Sequence, residues 1–181
     1  MNNTPAPSEA DFRALYERTS PRVYGYVRRR CPESDCDDVV ADAYLTAWRH
    51  FGRLPDDPVP WLIGAARNAL ANHRRSTARQ VRVSDELRAI DAVARADCAD
   101  KAVARTDLLN ALAQLSEDDR EILLLAGWDG LTSHGIATVL GISAVTARAR
   151  LSRARRRLQR HYAPRPEARP FTPRSLLTES H

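Results

Sequence analysis

Apolar side chains in the N-terminal part of the chain recur every three or four residues, which is the period of an amphipathic helix. The pattern predicts a helix over residues 9–30, a second over 36–51 and a third from near Pro60 to about Arg75. Residues 53–60 (RLPDDPVP) contain three prolines and are predicted to form a loop before the third helix. We therefore expect a compact three-helix unit.

The same period returns in the C-terminal part of the chain. Leu108 and Leu115 belong to one predicted helix, and the next helix begins after Ser116, which is a suitable N-cap. A short helix is expected over 132–140 and a long, arginine-rich helix over 144–161. These four helices indicate a second helical unit.

Residues that favour helix ends lie at several of these boundaries. Asp35 is predicted to be the N-cap of the second helix, and Gly52 its C-terminal stop. Ser143 is predicted to cap the 144–161 helix, and Gly141 is predicted to supply the positive φ of the preceding turn.

Together these patterns predict an all-α fold of two small helical domains joined by a linker. The remaining stretches lack a large apolar stripe or are rich in proline, which indicates linkers and disorder. The predicted segments, in order, are a disordered N-terminus over 1–8, a first domain over 9–76, a linker over 77–104, a second domain over 105–161 and a disordered, proline-rich tail over 162–181.

The composition narrows the class of protein. Of the 181 residues, 43% are hydrophobic, which is enough for one mid-sized core or two small ones. No apolar run approaches the roughly 20 residues that span a bilayer, and the polar N-terminus lacks the pattern of a secretory signal. Three cysteines are too few for a disulfide scaffold. We expect a cytoplasmic protein with no membrane insertion.

The formal net charge of +5 is the sum of separate basic and acidic stretches. Residues 58–84 contain five arginines, residues 130–166 contain eight, and neither stretch has an acidic side chain. Ordinary solvated helix faces are the alternative, but such faces mix both signs. Two basic stretches without acids indicate two places where a polyanion binds.

Residues 132–151 (TSHGIATVLGISAVTARARL) have the pattern of a helix-turn-helix, with a small residue where the helices cross and a glycine at the turn. In the major groove, arginine pairs with guanine and short side chains let the helix approach. Part of the later run Arg155–Arg157 is expected to hold phosphates. The alternative is a packed helical hairpin with a basic exposed face. The candidate DNA-binding residues are Ser143, Thr146, Arg148, Ala149, Ser152, Arg153 and Arg156.

Residues 61–75 (WLIGAARNALANHRR) combine an aromatic ring, amides and guanidinium groups on one predicted helix. Base stacking next to a basic track is how proteins bind single-stranded nucleic acid. The alternative is that the tryptophan belongs to the core. The candidate residues are Trp61, Arg67, Asn68, Asn72, Arg74 and Arg75. The preceding helix starts with aspartates, which suit its dipole but repel DNA, so this surface indicates a protein partner.

Taken in this order, these stretches resemble the extracytoplasmic-function (ECF) group of bacterial RNA polymerase sigma factors. The first domain is similar to sigma region 2 through DFRALYERTSPRVYGYVRRR, DCDDVVADAYLTAWRHF and PWLIGAARNALANHRR. The second is similar to region 4 through ALAQLSEDDREILLLAGWDGLTSHGIATVLGISAVTARARLSRARRRLQ. The resemblance covers about residues 10–76 and 106–160. It implies a transcription initiation factor that acts on promoter DNA without catalysis and without a cofactor.

The resemblance also implies a partner for each surface. Loop 53–60 and helix 61–75 would hold the melted −10 strand, region 4 would contact the flap of the polymerase, and an anti-sigma protein is implied as a further partner. The −35 duplex would be read by Arg148, Ala149, Ser152 and Arg153. Docking on the clamp of the large polymerase subunit would fall to Asp38, Val39, Asp42, Leu45 and Trp48. Gly135 and Ala149 stand where the family commonly has Glu and Ser, which affects the promoter sequence rather than the class.

Two other functions stay open on the residues alone: a helix-turn-helix regulator that binds duplex DNA without polymerase, and a helical interaction adaptor. Cys31 and Cys36 are separated by four residues, and a redox disulfide or a metal site is the alternative interpretation. No nearby histidine completes a zinc set, so we expect structural or incidental thiols and no metal site. No glycine-rich phosphate loop, catalytic triad order or zinc motif is visible, so we expect no enzymatic activity.

Overall fold

The structure, a computed structural model, describes residues 8–77 and 102–162. The helices in these ranges form two compact units, and no strand occurs among the described residues. The prediction of an all-α fold with two helical domains is therefore confirmed. Apart from a few edge residues, the segments predicted as N-terminus (1–8), linker (77–104) and tail (162–181) lie outside the described residues.

The N-terminal unit contains α1 (Glu9–Arg28), α2 (Glu33–Arg49) and α3 (Val59–Thr77), with a short 3-10 turn at Phe51–Arg53. Each of the three helices packs against the other two. Full burial of a large apolar side chain stabilises a fold by about 1.5–3 kcal/mol, so the facing apolar stripes hold the unit together. The core is formed by Val23, Tyr26, Val27, Val40, Ala43, Ala47, Leu62, Ile63 and Ala66.

The start of α2 differs from the prediction. The residue before the helix is Pro32, with extended backbone (φ −56°, ψ 150°), and the helix begins at Glu33. Asp35 therefore lies in the first turn and is not the N-cap. Its carboxylate lies 3.0 Å from Nε2 of His73 on α3, so a contact between helices takes the place of the local capping bond.

The end of α2 also differs. The helix ends at Arg49, and the backbone N–H of His50 bonds back to the Ala47 carbonyl at 3.1 Å. This bond tightens the last turn, and the chain continues into the 3-10 turn. Gly52 lies within that turn, so its prediction as the helix stop was wrong.

The C-terminal unit contains α4 (Ala102–Ala113), α5 (Glu117–Gly127), α6 (Ser133–Leu140) and α7 (Ala144–His161). Helix α7 packs against α4 and α5. The buried side chains include Leu108, Leu112, Ile122, Leu123, Leu124, Leu125, Ile136, Ala147, Ala154 and Leu158.

Local capping fixes the direction of α7. The Ser143 hydroxyl accepts a hydrogen bond from the Thr146 N–H at 3.1 Å, as the sequence predicts. Gly141 ends α6 with φ +65°, a conformation that side-chain-bearing residues rarely adopt. Ser116 likewise caps α5 by accepting from the Asp119 N–H at 3.3 Å. All three predicted end residues are therefore confirmed.

Candidate nucleic-acid and protein interfaces

Helix α7 separates an apolar side from a basic one. Ala147, Leu151, Ala154 and Leu158 recur at helical spacing and are buried within the C-terminal unit. The positions on the opposite side are exposed or half-buried, and none of them is acidic. This is the arrangement that lets one helix pack on its domain while its outer side enters a groove.

The predicted DNA-binding residues divide between the start and the outer side of α7. The hydroxyls of Ser143 and Thr146 lie 2.8 Å apart and belong to the N-terminal cap. Arg153 and Arg156 are exposed on the outer side, and Arg148 is exposed on its flank. Within residues 8–77 and 102–162, no acidic side chain pairs with these three arginines.

The short residues of α7 lie between these arginines. Ala149 is exposed and Ser152 is half-buried, so neither side chain holds the helix backbone away from a ligand. Val145, in the first turn, is 73% exposed and shares the outer side with Ala149. Val145 was not predicted as a site residue, because an isolated valine at the start of a helix is normally expected to be buried in the core.

Not every arginine of this helix is available for a nucleic acid. Arg157 forms an ion pair with Asp119 in the first turn of α5. Of the run Arg155–Arg157, Arg157 is therefore engaged within the unit, whereas Arg156 is exposed without an acidic partner in the described part of the chain.

On α3, four of the predicted residues form a stripe away from the core. Trp61, Asn68, Asn72 and Arg75 follow each other at seven, four and three residues, which places them on one side of the helix. With a rise of 1.5 Å per residue, the stripe is about 21 Å long. Arg75 donates to the side-chain carbonyl of Asn72, so the guanidinium and the amide form one polar group.

Trp61 is neither a core residue nor fully exposed. Its ring is half-buried, and the His50 ring lies 5.9 Å away between centroids, inclined by 49°. One part of the indole is thus supported by the protein and another part faces solvent, which is the geometry of a stacking platform.

Arg74 and Arg67 are placed differently from the stripe. Nη2 of Arg74 donates to the backbone carbonyl of Arg30 at 3.0 Å, so this guanidinium fastens α3 to the turn after α1. Because this bond is partly buried, Arg74 has a role in holding the fold, and its role as a nucleic-acid contact stays a prediction. Arg67 is half-buried beside the stripe and interacts within the protein.

The acidic side of α2 carries exposed apolar groups as well. Asp38, Asp42 and Leu45 lie on the side of α2 that faces away from the core, and Leu45 is 54% exposed. Val39, also predicted for the docking surface, is only 1% exposed and packs in the core, so its side chain does not belong to the exposed side of α2. The reason is helical geometry: Val39 follows Asp38 by one residue and therefore points about 100° away from it.

Aromatic residues of α1 extend this surface. Trp48 is 39% exposed and meets the edge of Phe12 at 4.9 Å between ring centroids. Tyr16 is 38% exposed and packs on Tyr44 at 4.7 Å. Sequence reasoning did not include Phe12 and Tyr16, although their spacing of four residues was a usable signal for a shared side.

Neither a membrane-spanning helix nor a metal-binding cluster occurs in the part of the chain that the structure describes. Among the described residues, no helix combines the length and the apolar character needed to cross a membrane. Within the same ranges, no three histidine, cysteine or acidic side chains are grouped so that they could hold a metal ion.

Comparison with known proteins assigns each unit to a family. Residues 15–80 match the model of Sigma-70 region 2, and residues 105–158 match that of Sigma-70 region 4. The ECF RNA polymerase sigma factor SigL of Mycobacterium tuberculosis is 31% identical, over 88% of this chain and 93% of SigL. The RNA polymerase sigma factor CarQ of Myxococcus xanthus is 33% identical, over 82% of this chain and 87% of CarQ.

Solved structures show the same fold. RpoE of Bartonella quintana, determined in complex with the anti-sigma factor NepR, superposes with a TM-score of 0.57 and 25% identity, covering 83% of this chain and 96% of RpoE. CnrH, determined in complex with the cytosolic domain of CnrY, superposes with a TM-score of 0.58 and 24% identity, covering 84% of this chain and 88% of CnrH.

Proposed function

The chain belongs to the ECF group of sigma-70 RNA polymerase sigma factors, and on this premise we propose which of its surfaces perform each step of initiation. A sigma factor directs RNA polymerase to promoters and supports the start of transcription. The observation that carries the proposal is that separate helices present three chemically distinct exposed sides: basic on α7, aromatic and amide on α3, acidic and apolar on α2.

The outer side of α7 reads the −35 duplex. Arg148 and Arg153 are exposed without acidic partners in the described ranges, so they are available for bidentate pairing with guanine. Ala149 and Ser152 let the helix sink into the groove. Arg156 lies further from the N-terminus of the helix and contacts phosphates of the DNA. The start of the helix at Ser143 points its protein backbone N–H groups towards the phosphates as well.

The stripe on α3 holds the single-stranded −10 element. The half-exposed Trp61 offers a ring for stacking, and Asn68 and Asn72 offer donors and acceptors for the edges of unpaired bases. Strand separation costs a few kcal/mol per unstacked base, and stacking and polar contacts offset that cost. Arg67 and Arg75 contribute positive charge beside the strand. Arg74 is left out because it is bonded to the Arg30 carbonyl.

The exposed side of α2 docks on the clamp of the large polymerase subunit. Leu45 and Trp48 supply apolar area, and Asp38 and Asp42 supply charge that repels DNA and suits a basic protein surface. Phe12 and Tyr16 extend the apolar part. The C-terminal unit docks on the flap of the same subunit.

The remaining parts of the proposal follow from the family. RpoE and CnrH were each solved with a protein bound, an anti-sigma factor in the case of RpoE, and we propose an anti-sigma partner for this chain too. Because core polymerase works in the cytoplasm, we place the protein there. We assign it no catalysis of its own and no cofactor, since the polymerase performs the chemistry.

Run-off transcription tests the proposed function. Core polymerase, with and without the protein, is supplied with fragments of the source genome, and discrete transcripts are expected only when both are present. The rival function, a regulator that binds duplex DNA without polymerase, predicts specific DNA binding by the protein alone and no transcripts from core polymerase plus protein. Transcripts with core polymerase alone, or none with both, contradict the proposal.

A further inference from the structure

Two thiols lie together at the turn between α1 and α2. Cys31 follows the end of α1, and Cys36 lies near the start of α2. Their Sγ atoms are 3.3 Å apart, and neither forms a disulfide. Cys36 is buried and Cys31 is half-buried, so a small reagent reaches Cys31 first. Nothing in the proposed contacts with polymerase or promoter uses this pair.

The spacing of the two sulfurs fits a covalent link. A disulfide bond is about 2.05 Å long, so the sulfurs need to approach each other by about 1.2 Å. Cys31 belongs to no helix, and the chain between the cysteines includes the turn at Pro32, which can absorb such a shift. We propose that Cys31 and Cys36 are a redox modification site, which hydrogen peroxide converts into an intramolecular disulfide that a reducing thiol opens again.

The reaction takes place in two steps. The Cys31 sulfur attacks the peroxide oxygen, forming a sulfenic acid and releasing the first molecule of water. The Cys36 sulfur then attacks the sulfenic sulfur, the S–S bond forms, and the hydroxyl leaves with the Cys36 proton as the second molecule of water. The two thiols lose two electrons in total, and the peroxide gains them. A reducing thiol reverses the modification.

The surroundings make the first step slow at neutral pH. Burial raises the pKa of Cys31, as do the Cys36 thiol and the Asp35 carboxylate, which itself contacts His73; Arg74 opposes them and lowers it. Because the thiolate is the reacting form, the rate of oxidation increases with pH, by about tenfold per unit below that pKa.

The turn that holds the cysteines also supports α3. The Arg30 carbonyl accepts from Arg74 Nη2 at 3.0 Å, and the Asp35 carboxylate lies 3.0 Å from Nε2 of His73. These contacts are one residue away from each cysteine, and they anchor the end of α3 that carries Asn72. A shift of more than an ångström in the turn disturbs both anchors. On the basis of the proposed function, oxidation therefore weakens binding of the −10 strand.

Thiol mapping tests the modification itself. The full-length protein carries Cys98→Ser in every sample, so that only the pair can react. Hydrogen peroxide is added, free thiols are alkylated, and peptides are identified by mass spectrometry. We expect a linked Cys31–Cys36 peptide that disappears on reduction. The Cys36→Ala variant, checked for folding by circular dichroism, should instead give a dimedone adduct at Cys31. Free thiols at both positions after treatment that fully oxidises glutathione, or disulfides only between molecules, overturn the proposal.

A binding experiment tests the consequence. Oxidised and reduced protein are freed of reagent, mixed with core polymerase, and titrated with a fork-junction promoter whose −10 strand is unpaired, and separately with a −35 duplex. We expect about threefold to tenfold weaker −10 binding after oxidation, the size expected for loss of one ordinary hydrogen bond, and unchanged −35 binding. The Cys31→Ser/Cys36→Ser variant should not respond to oxidant. Unchanged −10 binding, or equal losses on both DNAs, overturns the consequence. Failure of the reduced protein to bind either DNA refutes the proposed function, while thiol mapping still decides the modification.

Discussion

Val145 provides a quantitative test of how α7 meets DNA. Its side chain is 73% exposed at the start of the helix and shares the outer side with Ala149. An exposed branched methyl group next to the major groove suits contact with the 5-methyl group of thymine. Since the side chain is mostly exposed in the free protein, Val145→Ala should leave the melting temperature nearly unchanged and affect only binding.

The expected effect follows from the area that the contact removes from water. Burial of one methyl or methylene group is worth about 0.8 kcal/mol, or about fourfold in affinity. Replacing the contacted thymine by deoxyuridine should therefore cost the parent protein about fourfold in −35 binding. In the Val145→Ala variant the same replacement should have little effect, because the partner of the methyl group is absent.

The assay is a titration of polymerase holoenzyme with −35 duplexes in which each thymine is replaced in turn by deoxyuridine. Gln159→Ala, an exposed change near the other end of α7, is the matched control and should preserve the parent pattern. If each deoxyuridine lowers the affinity of the parent protein and of the Val145→Ala variant by the same factor, the valine makes no methyl contact and the assigned orientation of α7 is wrong.

Three further predictions separate residues that lie close together in the sequence. Leu45→Ala should weaken binding to core polymerase without changing thermal stability, whereas Val39→Ala should lower the free energy of unfolding by about 2 kcal/mol, because it leaves a cavity. Titration with core polymerase measures the first effect and denaturant unfolding the second, and the opposite pattern contradicts the assigned faces of α2. Arg74→Ala should destabilise the N-terminal unit by about 1–3 kcal/mol, because the Arg30 carbonyl loses a partly buried charged donor, while Arg75→Ala should lower only the affinity for −10 DNA. Equal unfolding curves for the two variants would contradict the separate roles of the two arginines. Asn68→Ala should reduce binding of unpaired −10 DNA more than binding of −35 duplex; equal losses in the two titrations argue against strand capture.

The sequence predicts those features that depend on local chemistry. Ser143 and Gly141 were identified correctly because a cap and a positive φ involve only residues within one turn of the chain. The all-α architecture was also predictable, since the apolar period is visible over most of the helices. The stripe of Trp61, Asn68 and Asn72 follows from the same period.

What the sequence does not predict depends on which neighbour a side chain meets. Asp35 has the composition of a cap, but His73, 38 residues later, takes its carboxylate. Arg74 and Arg75 look alike in the sequence, and only the packing of α3 against α1 brings the first to the Arg30 carbonyl. Val39 and Asp38 are adjacent, yet one faces the core and the other faces solvent.

Permanganate reactivity of promoter thymines tests the central claim most directly. Permanganate oxidises thymines that are unstacked, so it reports opening of the −10 element in solution. With core polymerase and this protein together, thymines of the −10 element should become reactive, and the Trp61→Ala variant should lower that reactivity while leaving −35 protection intact. Reactive thymines with core polymerase alone, or no reactivity in the complete mixture although −35 is protected, would contradict the account.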